Sequence, residues 1–220
     1  METKRLAGLE PAAVFGYFEE ICSIPHGSRN TKQISDYLVN FAKSHELRYI
    51  QDEADNVIIF GDATAGYEDH PAVILQGHMD MVCEQDADCT IDMAKEGLDV
   101  THDGNMVFAR GTTLGADNGI AVAMGMAILA DKSIPHPPIE LLITSDEEIG
   151  LLGAAAADLS ELKGKLLPVG MMIALDYVWD NIKADRTKKK AIMIDEIWQL
   201  IGASSNRMAA EFCLEIFKVI

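Results

Sequence analysis

Residues 106–148 read MVFARGTTLGADNGIAVAMGMAILADKSIPHPPIELLITSDEE. Met106–Ala109 is a short apolar strand, and Gly111-Thr112-Thr113-Leu114-Gly115-Ala116-Asp117-Asn118-Gly119 is a glycine-rich turn. That turn opens a helix of small apolar residues running to Leu129. Ile139–Thr144 is an apolar run of strand length that ends at Ser145-Asp146-Glu147-Glu148, and a further helix is expected over about 150–158. Strands that alternate with helices and end on polar residues predict an α/β fold. In such folds the chemistry sits at the carboxyl ends of the strands.

The same alternation runs upstream. Pro11 stands where a first helical residue should be, and Val14, Phe15, Phe18 and Cys22 follow at helical spacing. Ile24-Pro25-His26-Gly27-Ser28 reads as a turn, after which Asn30 or Thr31 caps a second helix carrying Ile34, Leu38 and Phe41 on one face. Arg48–Gln51 and Asn56–Phe60 read as strands around a polar turn, Asp52–Asp55. Ala72–Leu75 is a buried strand that delivers Gln76-Gly77-His78 at its end, and Glu84–Asp103 reads as acidic loop.

The composition narrows the function. In 220 residues, 49% are hydrophobic and the formal charge is −17, which suits a globular chain and leaves no dense basic face for nucleic acid. No apolar run approaches the roughly 20 residues of a membrane span, and no signal-peptide pattern opens the chain. Cys22, Cys83, Cys89 and Cys213 form no CxxC pair; they read as free thiols, and the expected location is cytoplasmic. The charge is uneven. Through Leu167 there are 11 Lys and Arg against 28 Asp and Glu, and from Pro168 onward 7 against 7. All six histidines lie at or before His136, and both tryptophans, Trp179 and Trp198, lie after the break. A boundary between two units near 166–169 is therefore expected, with residues 1–167 and 168–220 as the two parts.

Three clusters stand at strand or loop ends: His78-Met79-Asp80, Asp117-Asn118 and Glu147-Glu148. Side chains alternate along a strand, so His78 and Asp80 point the same way. A carboxylate so placed orients an imidazole that binds metal. Adjacent Glu147 and Glu148 can serve different partners, one holding metal and the other taking a proton from water. Asp117 in its tight turn is suited to bridge two cations. Imidazole and carboxylate without thiolate suit Zn²⁺, Mn²⁺ or Co²⁺. Each cluster alone has a plainer reading: a strand cap, a turn, or a helix start where the dipole favours acids. Their joint order within one α/β unit favours the metal site.

The stretches Ile21–His26, Leu75–Val82, Ala109–Gly119 and Leu142–Gly150 resemble the M20 metallopeptidases, and among them the aminoacyl-histidine (Xaa-His, or cytosolic non-specific) dipeptidases. The resemblance covers residues 1 to about 167. It implies a zinc-aminopeptidase-like three-layer sandwich with a mixed sheet, here incomplete. It also implies two zinc ions per complete site and hydrolysis of dipeptides ending in His. By this likeness His78 and Glu148 ligate metal and Asp117 bridges both ions. Asp80 supports His78, and Glu147 is the general base. The family carries two further ligands, Asp and His, and a dimerising segment beyond the part matched here. With His78, Asp117 and Glu148 alone, weak metal binding and negligible peptidase activity are expected. Asp176 ends an apolar run but lacks the family's acidic, glycine-rich continuation, so it is not expected to replace the missing Asp.

The tail reads differently. Thr187-Lys188-Lys189-Lys190 precedes an apolar strand, Ala191–Ile194, that ends at Asp195-Glu196. That is a Walker-B-like pattern, in which the acids would serve nucleotide hydrolysis. With Ile197–Ile201 and Ser204–Glu211, it resembles the conjugative-transfer ATPases of type IV secretion. No GxxxxGK[ST] accompanies it. The expectation is a chimeric or truncated chain, with 215–220 stopping in mid-helix, and a DNA-transfer motor fragment as the alternative function.

Overall fold

The computed structural model describes residues 5–168. In chain order the elements are α1 (Ala12–Cys22), α2 (Lys32–Ser44), β1 (Arg48–Gln51), β2 (Val57–Gly61), β3 (Val73–His78), β4 (Val100–His102), β5 (Val107–Ala109), α3 (Ala116–Ala130), β6 (Ile139–Thr144), α4 (Leu152–Ala156) and β7 (Lys165–Pro168). Five strands form one sheet in the order β1-β2-β6-β3-β7, and β4 and β5 form a separate ribbon. The pairs β1–β2 and β2–β6 are antiparallel, and β3 runs parallel to both β6 and β7. The sheet is mixed and the class α/β, as the sequence implies.

Alternation along the strands divides the core. Ile139, Leu141 and Ile143 of β6 join Val57, Ile59 and Leu75 in the main core with α1, α2 and α3. Ile58, Ile74 and Leu142 form a smaller cluster apart from it, joined by Leu162. Helix α2 is amphipathic and buries Ile34, Leu38, Phe41 and Ala42. Helix α3 is apolar nearly all round because it is covered by α1 as well as by β3 and β6. Its Ala121, Ala123, Gly125 and Ala127 permit that close approach. Leu141 is 1% exposed at the centre of this core. Leu141→Ala is expected to cost about 2–5 kcal/mol, measured by urea denaturation; a loss below about 1 kcal/mol would contradict this packing.

Several expectations shift. Val100–His102, placed in a loop from sequence, forms β4 and pairs with β5. Pro11 is the N-cap of α1 and not its first helical residue. Thr31 caps α2 without a side-chain cap bond, because its Oγ1 donates instead to Asp55 at 3.0 Å. The last helix is shorter than 150–158, since Asp146 and Leu151 adopt left-handed backbone and hold the preceding residues in a loop. No described helix is long and apolar enough to cross a membrane. Asp176, Asp195, Glu196 and the tail from 169 to 220 lie outside the described residues.

Candidate metal centre

Parallel pairing of β3 with β6 sets His78 opposite Thr144. Met79 N–H continues the ladder by donating to Thr144 O at 2.8 Å. The carboxyl ends of the two strands therefore lie side by side, with Glu147 and Glu148 just beyond one and His78 at the tip of the other. The third contributor arrives through the glycine-rich turn. Gly115 has φ +68, and a Cβ there would stand 2.7 Å from Met81 Sδ and 3.3 Å from His26 Nε2. Only glycine lets the turn pack this closely on the 79–81 segment and deliver Asp117. The Asp117–Asn118 peptide is cis.

His78, Glu147 and Glu148 each offer a donor atom, and all three atoms lie within 4.8 Å of one another. Asp117 Oδ1 lies 3.3 Å from His78 Nε2, and Glu147 Oε2 lies 3.9 Å from the same nitrogen. The imidazole is buried, whereas Asp117 is 83% exposed and faces outward. This donor set, one imidazole nitrogen with carboxylate oxygens and no thiolate, fits a borderline divalent cation. The structure brings all five of the sequence-chosen residues together. It does not separate Glu147 from Glu148 in role, because both belong to the donor group.

Asp80 sits differently from the expectation drawn from strand alternation. The strand ends at His78, and His78 Nδ1 contacts the backbone oxygen of Asp80 at 2.9 Å, with the Oδ1 farther at 3.5 Å. The Asp80 carboxylate, 1% exposed, instead accepts the Glu147 N–H at 2.9 Å, the Glu148 N–H at 3.3 Å and the Ser28 hydroxyl at 2.8 Å. It thus fixes the backbone of the carboxylate pair as well as facing the imidazole. Burial opposes its charge, but the bonds from His78, the Glu147 backbone and Ser28 hold its carboxyl below the usual range. For His78 burial also works against charge. Bonds to Asp117 and Asp80 and the field of Asp80 and Glu147 outweigh it and push the imidazole up to about 10. The Asp117 carboxyl is held down chiefly by its bond to His78.

Sequence reasoning missed the supports. The predicted turn at 24–28 is a strut: Gly27 bridges Met81 in parallel, Met81 N–H donates to His26 O at 3.1 Å, and Ser28 reaches Asp80. Arg29 N–H donates to Asp146 Oδ1 at 2.5 Å. The Ser-Asp before Glu147-Glu148 was the available signal, since short polar side chains there can tie a loop to its neighbours.

Residues 74–196, more than half of the chain, match the model for peptidase family M20/M25/M40. The matched interval runs past the composition break near 166–169. The chain is 40% identical over 171 residues to the cytosol non-specific dipeptidase of Escherichia coli (strain K12), covering 78% of this chain and 34% of that protein. It is 41% identical to the aminoacylhistidine dipeptidase of Vibrio alginolyticus, whose crystal structure superposes with a TM-score of 0.72 over 74% of this chain and 34% of that one. A tripeptidase from Staphylococcus aureus shares the fold at 24% identity, with a TM-score of 0.57 over 69% of this chain and 41% of that one. The chain spans about a third of the length of the two dipeptidases.

Proposed function

Since the chain belongs to the M20/M25/M40 peptidase family, we propose that residues 1–167 carry the metal-binding half of a dipeptidase active site acting on short peptides of the Xaa-His type. The observation that carries this reading is the convergence of His78, Glu147 and Glu148, with Asp117 beside them, at the adjoining ends of β3 and β6. Zinc is the metal that suits this donor set best, with Mn²⁺ and Co²⁺ next. His78 and Glu148 would hold it, and Asp117 would bridge to a second ion. When bound, the metal supplies a Lewis acid that polarises the scissile carbonyl and acidifies water. Glu147 accepts the proton of the attacking water and returns it to the leaving amine. Asp80 keeps Glu147 and Glu148 in place through their backbone N–H groups and faces His78 from behind. Among the described residues, three side chains are thus assigned as ligands: His78, Glu148 and Asp117.

Thermal melting with and without Zn²⁺ tests the reading. Zinc at 100 times its Kd should stabilise the chain by about 2.7 kcal/mol, and His78→Ala should abolish the shift. A shift that persists in His78→Ala places the ion elsewhere and sinks the proposal, as does the lack of any shift.

A further inference from the structure

The loop from Ser145 to Gly153, which carries Glu147 and Glu148, is closed on itself by Gly153 N–H donating to Ser145 O at 3.2 Å. One side chain grips both ends of that closure. Asn56, 3% exposed at the start of β2, accepts the Ser145 N–H on Oδ1 at 2.9 Å and donates from Nδ2 to Gly153 O at 2.9 Å. The same Nδ2 donates to Asp52 Oδ2 at 2.8 Å. Asp52 Oδ1 in turn accepts the N–H groups of Ala54 and Asn56, each at 2.9 Å. The Ser145 hydroxyl donates to Ala54 O, completing the tie between loop and turn.

We propose that Asn56 is a positioning residue for the acidic pair: its amide transmits the rigidity of the β1–β2 turn to the two ends of the loop that presents Glu147 and Glu148. An amide is the side chain that fits, because the loop closure offers one N–H and one C=O, and Asn serves both at once. A carboxylate would lose the donor and face Asp52, and an apolar residue would leave both backbone groups buried without partners. The space is already filled to contact. A Cβ at Gly153 would stand 2.2 Å from Ser145 O and 2.7 Å from Asn56 Oδ1, so the loop end packs directly on the amide and leaves no room for a side chain there. Asp80 then holds the middle of the loop at the Glu147 and Glu148 N–H groups, and Asn56 holds its ends.

This rests on the reading of Glu147 and Glu148 as metal-site residues, and the test keeps the two apart. Amide hydrogen exchange of residues 147–151 in the metal-free chain reads the loop directly, and Zn²⁺ affinity by competition with a chromophoric chelator reads its consequence. Asn56→Ala should speed exchange at Glu147 and Glu148 and weaken Zn²⁺ binding, each by about tenfold. The comparison variant is Leu129→Ala, a core truncation beside Gly61 at the far end of the sheet. It should lower the melting temperature yet leave both readings unchanged. Should Asn56→Ala fail to fold, Asn56→Asp keeps the acceptor for Ser145 but loses the donor to both Gly153 and Asp52, and should show the same two changes. Equal exchange in wild type and Asn56 variants, or an equal rise in Leu129→Ala, overturns the proposal. Absence of Zn²⁺ binding in the wild type overturns the metal reading alone, and the exchange result still decides the role of Asn56.

Discussion

Replacing Asp80 with alanine should cost the metal-free chain about 3–5 kcal/mol of stability and weaken Zn²⁺ binding by about 10–100-fold. This buried carboxylate serves several groups at once. It accepts the N–H groups of Glu147 and Glu148 and the Ser28 hydroxyl while lying beside the buried His78. Removing it leaves three part-buried donors without their acceptor and deprives the His78 imidazolium of its buried counter-charge. Each stranded donor carries a penalty of about 1–3 kcal/mol, partly recovered by relaxation. Asp80→Asn separates the two components. Its side-chain oxygen can still accept the Glu147 N–H, but its amide group opposes the Glu148 N–H and offers no charge to His78. It should therefore recover about half of the stability and little of the metal affinity. Urea denaturation of both variants, paired with chelator competition, decides the matter. Stability losses under about 1 kcal/mol in Asp80→Ala would mean that the carboxylate does not organise the Glu147–Glu148 backbone.

Much of this arrangement is legible in the sequence because it depends on local pattern. Ile139–Thr144 and Arg48–Gln51 coincide with β6 and β1 at both ends, since a polar break bounds each run. The glycine-rich turn declares itself through Gly111 and Gly115, both at positive φ. His78, Asp117, Glu147 and Glu148 stand out because they terminate such elements. What the sequence hides is long-range. Asn56 meets Ser145 across 89 positions and Gly153 across 97, and nothing near Asn56 marks it as other than the first residue of a strand after a polar turn. Asp80 shows where alternation stops being a guide: past the last ladder residue the chain turns, and its carboxylate faces the backbone donors of Glu147 and Glu148 just beyond β6 rather than chiefly the imidazole two residues back. The β4 strand is concealed by the acidic stretch around it. It forms by pairing with β5 rather than by any pattern of its own.

The metal-free stability and the metal affinity of this site should run in opposite directions with pH. His78 is pushed up from 6.5 to about 10 by Asp117, Asp80 and Glu147 against the opposing effect of burial. A folded-state value above the unfolded one means that the charged imidazole stabilises the native chain. That stabilisation is fully present below pH 6.5 and is lost as pH rises through about 10. Its size is on the order of 3 kcal/mol, reduced from the full shift because Asp117 is exposed and screened. On the acid side, the lowered carboxyls of Asp80 and Asp117 contribute stability that fades as pH falls below their ordinary 3.8. Metal, by contrast, needs the neutral imidazole, so its uptake releases the proton that His78 holds at pH 7. One proton released per ion makes Zn²⁺ affinity rise about tenfold per pH unit, or about a hundredfold from pH 6 to pH 8. Chelator-buffered titrations at those two values measure this, and urea denaturation of the metal-free chain between pH 6 and pH 10 measures the opposite trend. His78→Gln should flatten the second curve. An affinity independent of pH, or a metal-free stability that climbs toward pH 10, would show that His78 is neutral in the native chain and that its three acidic neighbours do not act on it as the geometry implies.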